Sequence, residues 1–472
     1  MWHNAAAMMR VIGTIVAATL AGGGCGDSGR PQLTADEVLA RLRMLHGVTA
    51  EEQPTAQDGM HYFVLMFDQP VDHGDPSRGT FRQEVSLLHK SEAAPMIVHT
   101  SGYEDYYHDS PVELTQMLDA NQISIEHRYY GGSRPDPADW SRLTIAQMAA
   151  DEHDIIAALR TIYEGAFVST GGSKGGATAV FHRRFYPDDV EGTVAYVAPL
   201  SFDIPDVRYP AFLDTIGPPE CRQKVRDVAT ELLSHRRDAM VASAAAEPGH
   251  VYNRVAVGPA VEVAIVNLEW GFWQTLGIDA CNDGTIPALD ASDAEMFKFL
   301  DDASKVADDD DEMVQFYEPY YYQTYAELGY PDYGAAYLQP FRMYHDSDYA
   351  NELPTPVEPQ FDREAMQGVD DYVSRQGSHL LLIYGELDPW TAGKFVLGDA
   401  TDSAVLVQQN GMHNARIVGL EPADREEAVG KLKAWTGVAP DLGRVRWSGR
   451  GAAAASWMPP RMPAVLARGA QK

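Results

Sequence analysis

The sequence predicts an α/β fold: a mostly parallel sheet with helices on both faces, interrupted by a large, mostly helical insertion. Three observations predict it. Short apolar runs alternate with helical stretches between residues 95 and 200, the rhythm of strands joined by crossover helices. That rhythm stops at 201, where few strand-like runs are found, and returns from 378 to 440. Finally, Gly171-Gly172-Ser173-Lys174-Gly175 lies where a strand-like run meets a helix-like one. A G-x-S-x-G turn in that context is the shape of a nucleophile elbow.

The first element is a targeting segment. Arg10 precedes an apolar run from Val11 to Ala21 and then Gly22-Gly23-Gly24-Cys25, so 1–24 reads as a signal peptide, too short to span a membrane. Export to the periplasm, the medium or the bacterial cell envelope follows. A cysteine at that point suggests lipid attachment on Cys25 and membrane anchoring. Gly22 stands where a lipobox has leucine, so plain secretion is the alternative.

Residues 25–59 read as a linker with a short helix from Thr34 to Leu45, started by a Thr34/Glu37 capping box. His61 to Gln69 and Thr80 to Leu88 form an expected antiparallel hairpin. Pro95 to Thr100 and Gln122 to Glu126 are short strands; Ile145 to Glu164 is a helix capped by Thr144 and stopped at Gly165. Next come a strand from Ala166 to Thr170, a helix ending near Tyr186 ahead of Pro187, and a strand from Thr193 to Ala198. Residues 60–200 are thus the first part of the core.

The insertion, 201–377, carries helical patterns at Pro219 to His235 and Ala291 to Lys305, and an aromatic run from Phe316 to Tyr322. Its acidic run, Asp308 to Glu312, lacks the alternating ligands and central glycine of a calcium loop and reads as a solvated helix flank. Strands Ser378 to Tyr384 and Ala404 to Gln408 and a helix from Pro422 to Trp435 complete the core at 378–440. The tail, 441–472, has six basic residues against one acidic and is expected to be mobile or loosely packed.

With 472 residues and 45% apolar composition the chain can bury a sizeable core. A formal charge of −31 argues against nucleic acid as a partner, because its phosphates would be repelled. Once Cys25 is lipidated or removed, Cys221 and Cys281 remain, and an oxidising compartment favours a disulfide between them over two separate buried thiols. Sixty residues apart and without nearby histidines, they do not suggest a metal site.

A serine hydroxyl needs an adjacent base to attack. If Ser173 is the nucleophile, acid and base should follow on loops after the last strands, and Asp388 and His413 occupy such loops in the required order. Glu386 is a rival acid, nearer the strand. Of the two donors an oxyanion requires, one should be the backbone N–H of Lys174; the other should come from Gly102 or Tyr103, on the loop after the Pro95 to Thr100 strand. No cofactor is implied. Gly131-Gly132-Ser133-Arg134-Pro135 lacks the closing glycine and serves as an internal contrast.

Phe67-Asp68-Gln69-Pro70-Val71-Asp72-His73, Glu126-His127-Arg128-Tyr129-Tyr130-Gly131, Thr170 to Gly176 with His182-Arg183-Arg184-Phe185-Tyr186-Pro187, and Tyr384-Gly385-Glu386-Leu387-Asp388-Pro389-Trp390 together resemble the bacterial secreted prolyl tri/tetrapeptidyl aminopeptidase family. That family is similar to the lysosomal prolyl carboxypeptidase and dipeptidyl peptidase group. The resemblance runs from about residue 60 to 435. It implies an α/β-hydrolase core under a helical cap, with Ser173, Asp388 and His413 as the triad. It also implies peptide substrates with a free N-terminus and proline at the cut. The approach to the histidine, Gln409-Asn410-Gly411-Met412, departs from the family's Pro-Gly, which bears on substrate preference.

A cap carboxylate could pair with the substrate's α-ammonium group, and Glu269, among the aromatics of Leu268 to Trp273, is a candidate; a wet helix face is the other reading. Arg128 is expected to form a structural ion pair. The competing activities are an esterase or lipase on the same fold, a carboxypeptidase-like enzyme cutting Pro-Xaa bonds, and an anchored binding protein with a dead site.

Overall fold

The computed structural model describes residues 32–344, 353–354 and 357–446. Nine strands form one sheet: β1 (Val48–Gln53), β2 (His61–Pro70), β3 (Thr80–His89), β4 (Met96–Thr100), β5 (Asn121–Ile125), β6 (Phe167–Gly172), β7 (Gly192–Tyr196), β8 (Leu380–Gly385) and β9 (Ala404–Gln408). Their spatial order is β1-β2-β3-β5-β4-β6-β7-β8-β9. β1, β2, β3 and β5 pair antiparallel, and every pair from β5–β4 onward is parallel.

The parallel strands are buried on both faces, so they read as continuous apolar runs; Leu380–Gly385 is buried at every position. Alternate side chains serve opposite layers. Leu380, Leu382 and Tyr384 pack with α3 (Ile145–Leu159) and α4 (Lys174–Phe185). Leu381 and Ile383 pack with α2 (Glu113–Leu118) and the last helix, Pro422–Thr436. This is an α/β-hydrolase architecture. A separate apolar cluster, from Tyr209 to Leu338, holds the helical insertion together and reaches the core through Leu387.

After β4 the chain turns back to β5 on one side, whereas after β6 it proceeds to β7 on the other. The carboxyl ends of β4 and β6 therefore flank a topological switch point, where open α/β sheets bind ligands. Both the Ser101–Tyr103 loop and Ser173 lie there.

Four expectations need correction. The segment expected to be a linker holds, after α1 (Ala35–Leu42), the strand β1, which pairs with β2 along its length, Val48 opposite Phe67 to Gln53 opposite Tyr62; its burial alternates only at Val48 and Ala50, which hid the strand. The helix Arg363–Arg375, assigned to the insertion, buries Met366, Val369 and Val373 in the core layer with α4. The acidic run is not a solvated flank: Asp309 and Asp310 are buried, and Asp310 accepts from the Met313 N–H to cap the helix Asp311–Gln323. The beginning of the tail is packed, with Asp441 N–H donating to the Met117 carbonyl and Arg444 paired with Asp119. The expected signal segment, Cys25 and residues 447–472 lie outside the described residues. No described helix is long and apolar enough to cross a membrane.

Candidate active site

β6 ends at Gly172 and α4 starts at Lys174, which leaves Ser173 alone at the turn with φ 54° and ψ −127°. An L-residue at positive φ is strained, and the neighbours enforce it. A Cβ on Gly171 would stand 2.5 Å from the Gly175 carbonyl and 2.6 Å from the Thr100 oxygen; one on Gly175 would run into the Thr100 carbonyl oxygen and stand 2.8 Å from that of Ser101. The glycines of the pentapeptide are therefore required by close backbone approach between β4, β6 and α4. Ser173 N–H is anchored on the Tyr196 carbonyl at 2.9 Å.

The two carboxyl-terminal loops are tied to each other: Glu386 N–H donates to the Gln408 carbonyl at 3.1 Å and Leu387 N–H to that of Gly411 at 2.8 Å. This brings Asp388 Oδ2 to 2.7 Å from His413 Nδ1. Asp388 is fully buried, and its Oδ1 accepts from the Trp390 N–H at 3.1 Å. A buried carboxylate at Nδ1 fixes the tautomer with the proton there, so Nε2 carries the lone pair. Glu386 is exposed and accepts from the Asn410 N–H, away from the imidazole.

Ser173 and His413 line one cavity of about 260 Å³. Lys174 and Tyr103 line it from the core. As the first residue of α4, Lys174 has a backbone N–H with no intrahelical acceptor. Tyr103 N–H donates to Ser101 Oγ at 3.2 Å. Gly102, at φ +75°, is pressed against α4, its absent Cβ only 2.6 Å from the Gly175 nitrogen, and it is not among the lining residues. The structure thus brings Ser173, His413, Lys174 and Tyr103 to one cavity, with Asp388 bonded to the imidazole at Nδ1.

Glu269 is not brought there. It is buried in the insertion and accepts from Arg226 Nε at 2.8 Å, an ion pair that anchors the helix Pro219–His235. The cap carboxylates lining the cavity are Asp308 and Asp309, beside Tyr317 and Tyr320. The acidic and aromatic runs, both conspicuous in the sequence, thus contribute to the cavity that Ser173 lines, which their local pattern does not announce. Trp390 and Gln274 also line it, and Gln274 accepts from the indoles of both Trp270 and Trp390. Cys221 and Cys281 form a disulfide within the insertion, Cα to Cα 5.5 Å.

Arg128 makes a two-pronged ion pair with Asp151, 2.6 and 2.7 Å, both side chains wholly buried, and His73 Nε2 contacts the same carboxylate at 2.7 Å. The conspicuous Asp72-His73 and His127-Arg128 segments therefore lock β2, β5 and α3 together. Among the described residues no cluster of potential metal ligands occurs.

The profile of the PS-10 peptidase S37 family matches residues 32–455. The prolyl tri/tetrapeptidyl aminopeptidase of Streptomyces mobaraensis is 35% identical over 448 residues, covering 92% of this chain and 93% of that protein. The lysosomal Pro-X carboxypeptidase of Mus musculus is 30% identical over 192 residues, 35% of this chain and 38% of that one. Among solved structures, an alpha/beta fold family hydrolase from Bacillus anthracis aligns at 12% identity and a TM-score of 0.36, over 80% of this chain and 99% of that one.

Proposed function

Because this chain belongs to the PS-10 peptidase S37 family, we propose that it is a serine exopeptidase that cuts after proline and releases N-terminal tri- or tetrapeptides through an acyl-enzyme on Ser173. The observation that carries the reading is the His413–Asp388 hydrogen bond, with His413 lining the same cavity as a serine held at positive φ. Ser173 Oγ attacks the carbonyl of the substrate's proline while His413 Nε2 takes its proton. The imidazolium, stabilised by Asp388, gives that proton to the departing amine, and water then repeats the sequence on the ester. The Lys174 and Tyr103 N–H groups receive the oxyanion.

The aromatic wall of Tyr103, Tyr317, Tyr320 and Trp390 suits a proline ring. Asp308 and Asp309 take the role first considered for Glu269, pairing with the α-ammonium group and so limiting the enzyme to free N-termini. Export is part of the reading; the apolar segment after Arg10 and the Cys221–Cys281 disulfide support it.

Hydrolysis of an Ala-Ala-Pro chromogenic amide, with and without an N-terminal acetyl group, tests this beside short acyl esters. Turnover of the free amide, loss on acetylation and loss in Ser173→Ala are expected. Ester turnover without amide turnover would make the protein an esterase.

A further inference from the structure

We propose that the Lys174 side chain is a positioning residue: its ammonium group holds the peptide unit that carries the second oxyanion donor, while its backbone supplies the first. The inference rests on the acyl-enzyme reading of Ser173.

Lys174 is 5% exposed, a costly place for an ammonium group unless something compensates it. Its Nζ donates to the carbonyl oxygen of Gly102 at 2.5 Å. That oxygen and the N–H of Tyr103 belong to one planar peptide unit, so fixing one fixes the direction of the other. A cation at the oxygen end also polarises the amide and makes its N–H a stronger donor. The Tyr103 N–H rests meanwhile on the neutral Ser101 hydroxyl at 3.2 Å, a partner weaker than a charged oxygen.

Two aromatic faces flank the ammonium group. Nζ lies 5.3 Å from the ring centroid of Tyr103 and 5.5 Å from that of Tyr130, within cation–π range. Burial pushes the Lys174 pKa down to about 7. A side chain whose only task was to fill this space would be better as methionine, which carries no desolvation cost.

Lys174→Met tests the proposal through kcat and KM on the Ala-Ala-Pro amide, thermal unfolding, and inhibition by a peptidyl aldehyde whose hemiacetal oxygen occupies the oxyanion position. The expected result is a fall in kcat of about 30- to 100-fold with KM within about threefold, and aldehyde affinity weakened in step, since removing one oxyanion donor costs about this much or more. A kcat within threefold of the parent overturns the proposal, as does a fall in kcat with unchanged aldehyde affinity. If Lys174→Met does not fold, Lys174→Gln is measured instead: a loss of at least tenfold confined to kcat supports the proposal, and parental kcat overturns it. Fluorophosphonate labelling keeps the two ideas separate. A parent enzyme not labelled on Ser173 removes the acyl-enzyme reading, whereas a labelled, active parent with an indifferent Lys174→Met removes only the role of the lysine.

Discussion

Replacing Asp388 by asparagine keeps the shape of the buried acid and removes its charge, and the surrounding hydrogen bonds allow the consequence to be worked out. In the parent, Oδ1 accepts from the Trp390 N–H and Oδ2 from His413 Nδ1. An asparagine has one oxygen for these two donors. If the oxygen stays on Trp390, the amide NH2 faces Nδ1 and forces the imidazole proton onto Nε2, the tautomer that cannot accept from Ser173. If it turns to His413, two donors meet at Trp390, and a buried unsatisfied group costs about 1–3 kcal/mol. Either way the imidazolium loses its counter-charge. We expect kcat on the Ala-Ala-Pro amide to fall by about 10³- to 10⁴-fold, or about 4 to 5.5 kcal/mol of barrier. KM should change little, and the unfolding temperature should fall by no more than a few degrees. Glu386→Ala is the control: its exposed carboxylate holds only the Asn410 N–H, so activity should stay within about threefold and stability within about 1 kcal/mol. More than a tenth of parental kcat in Asp388→Asn, or an equal loss in Glu386→Ala, would refute the assignment of the acid.

Gly175→Ala should abolish turnover or prevent soluble expression, because its Cβ meets two backbone carbonyls that cannot move aside. Gly430→Ala, in a helix with open space around it, should instead raise stability by about 0.5–1 kcal/mol in urea unfolding. Breaking the Cys221–Cys281 bond, by reduction or as the double serine variant, frees a loop of 60 residues and should cost about 4 kcal/mol on the chain-entropy estimate, read as a lower unfolding midpoint in the presence of reductant. Burial raises the Glu126 pKa from 4.5 to about 8. Its carboxyl therefore keeps its proton in the native state where the unfolded chain has lost it, and the stability this gives below pH 4.5 is lost as pH rises to about 8. Glu126→Gln, with no proton to lose, should show a flatter stability profile by a few kcal/mol between pH 5 and 8; parallel urea midpoints in the two proteins would contradict this.

Much of the molecule follows from rules that act over a few residues. The Thr34/Glu37 box starts its helix because the reciprocal bonds span three positions, and both are formed. The parallel strands announce themselves because burial on both faces leaves only apolar runs. The pentapeptide is legible because a turn with no room for side chains admits only glycine around Ser173. What sequence alone could not supply is which distant surfaces meet. Glu269 looked unpartnered until folding set it beside Arg226, 43 positions away. The helix Arg363–Arg375 is amphipathic whichever layer it covers, and only packing sends it to the core with α4. Asp308 and Asp309 are hydrophilic in any local view; they line the cavity because the cap folds them across it. Lys174 was readable as a backbone donor, whereas the reach of its side chain to Gly102 depends on β4 and β6 being neighbours. Local preferences are fixed by adjacent atoms, but the partners of a side chain are chosen by the long-range burial that closes the sheet and seats the cap.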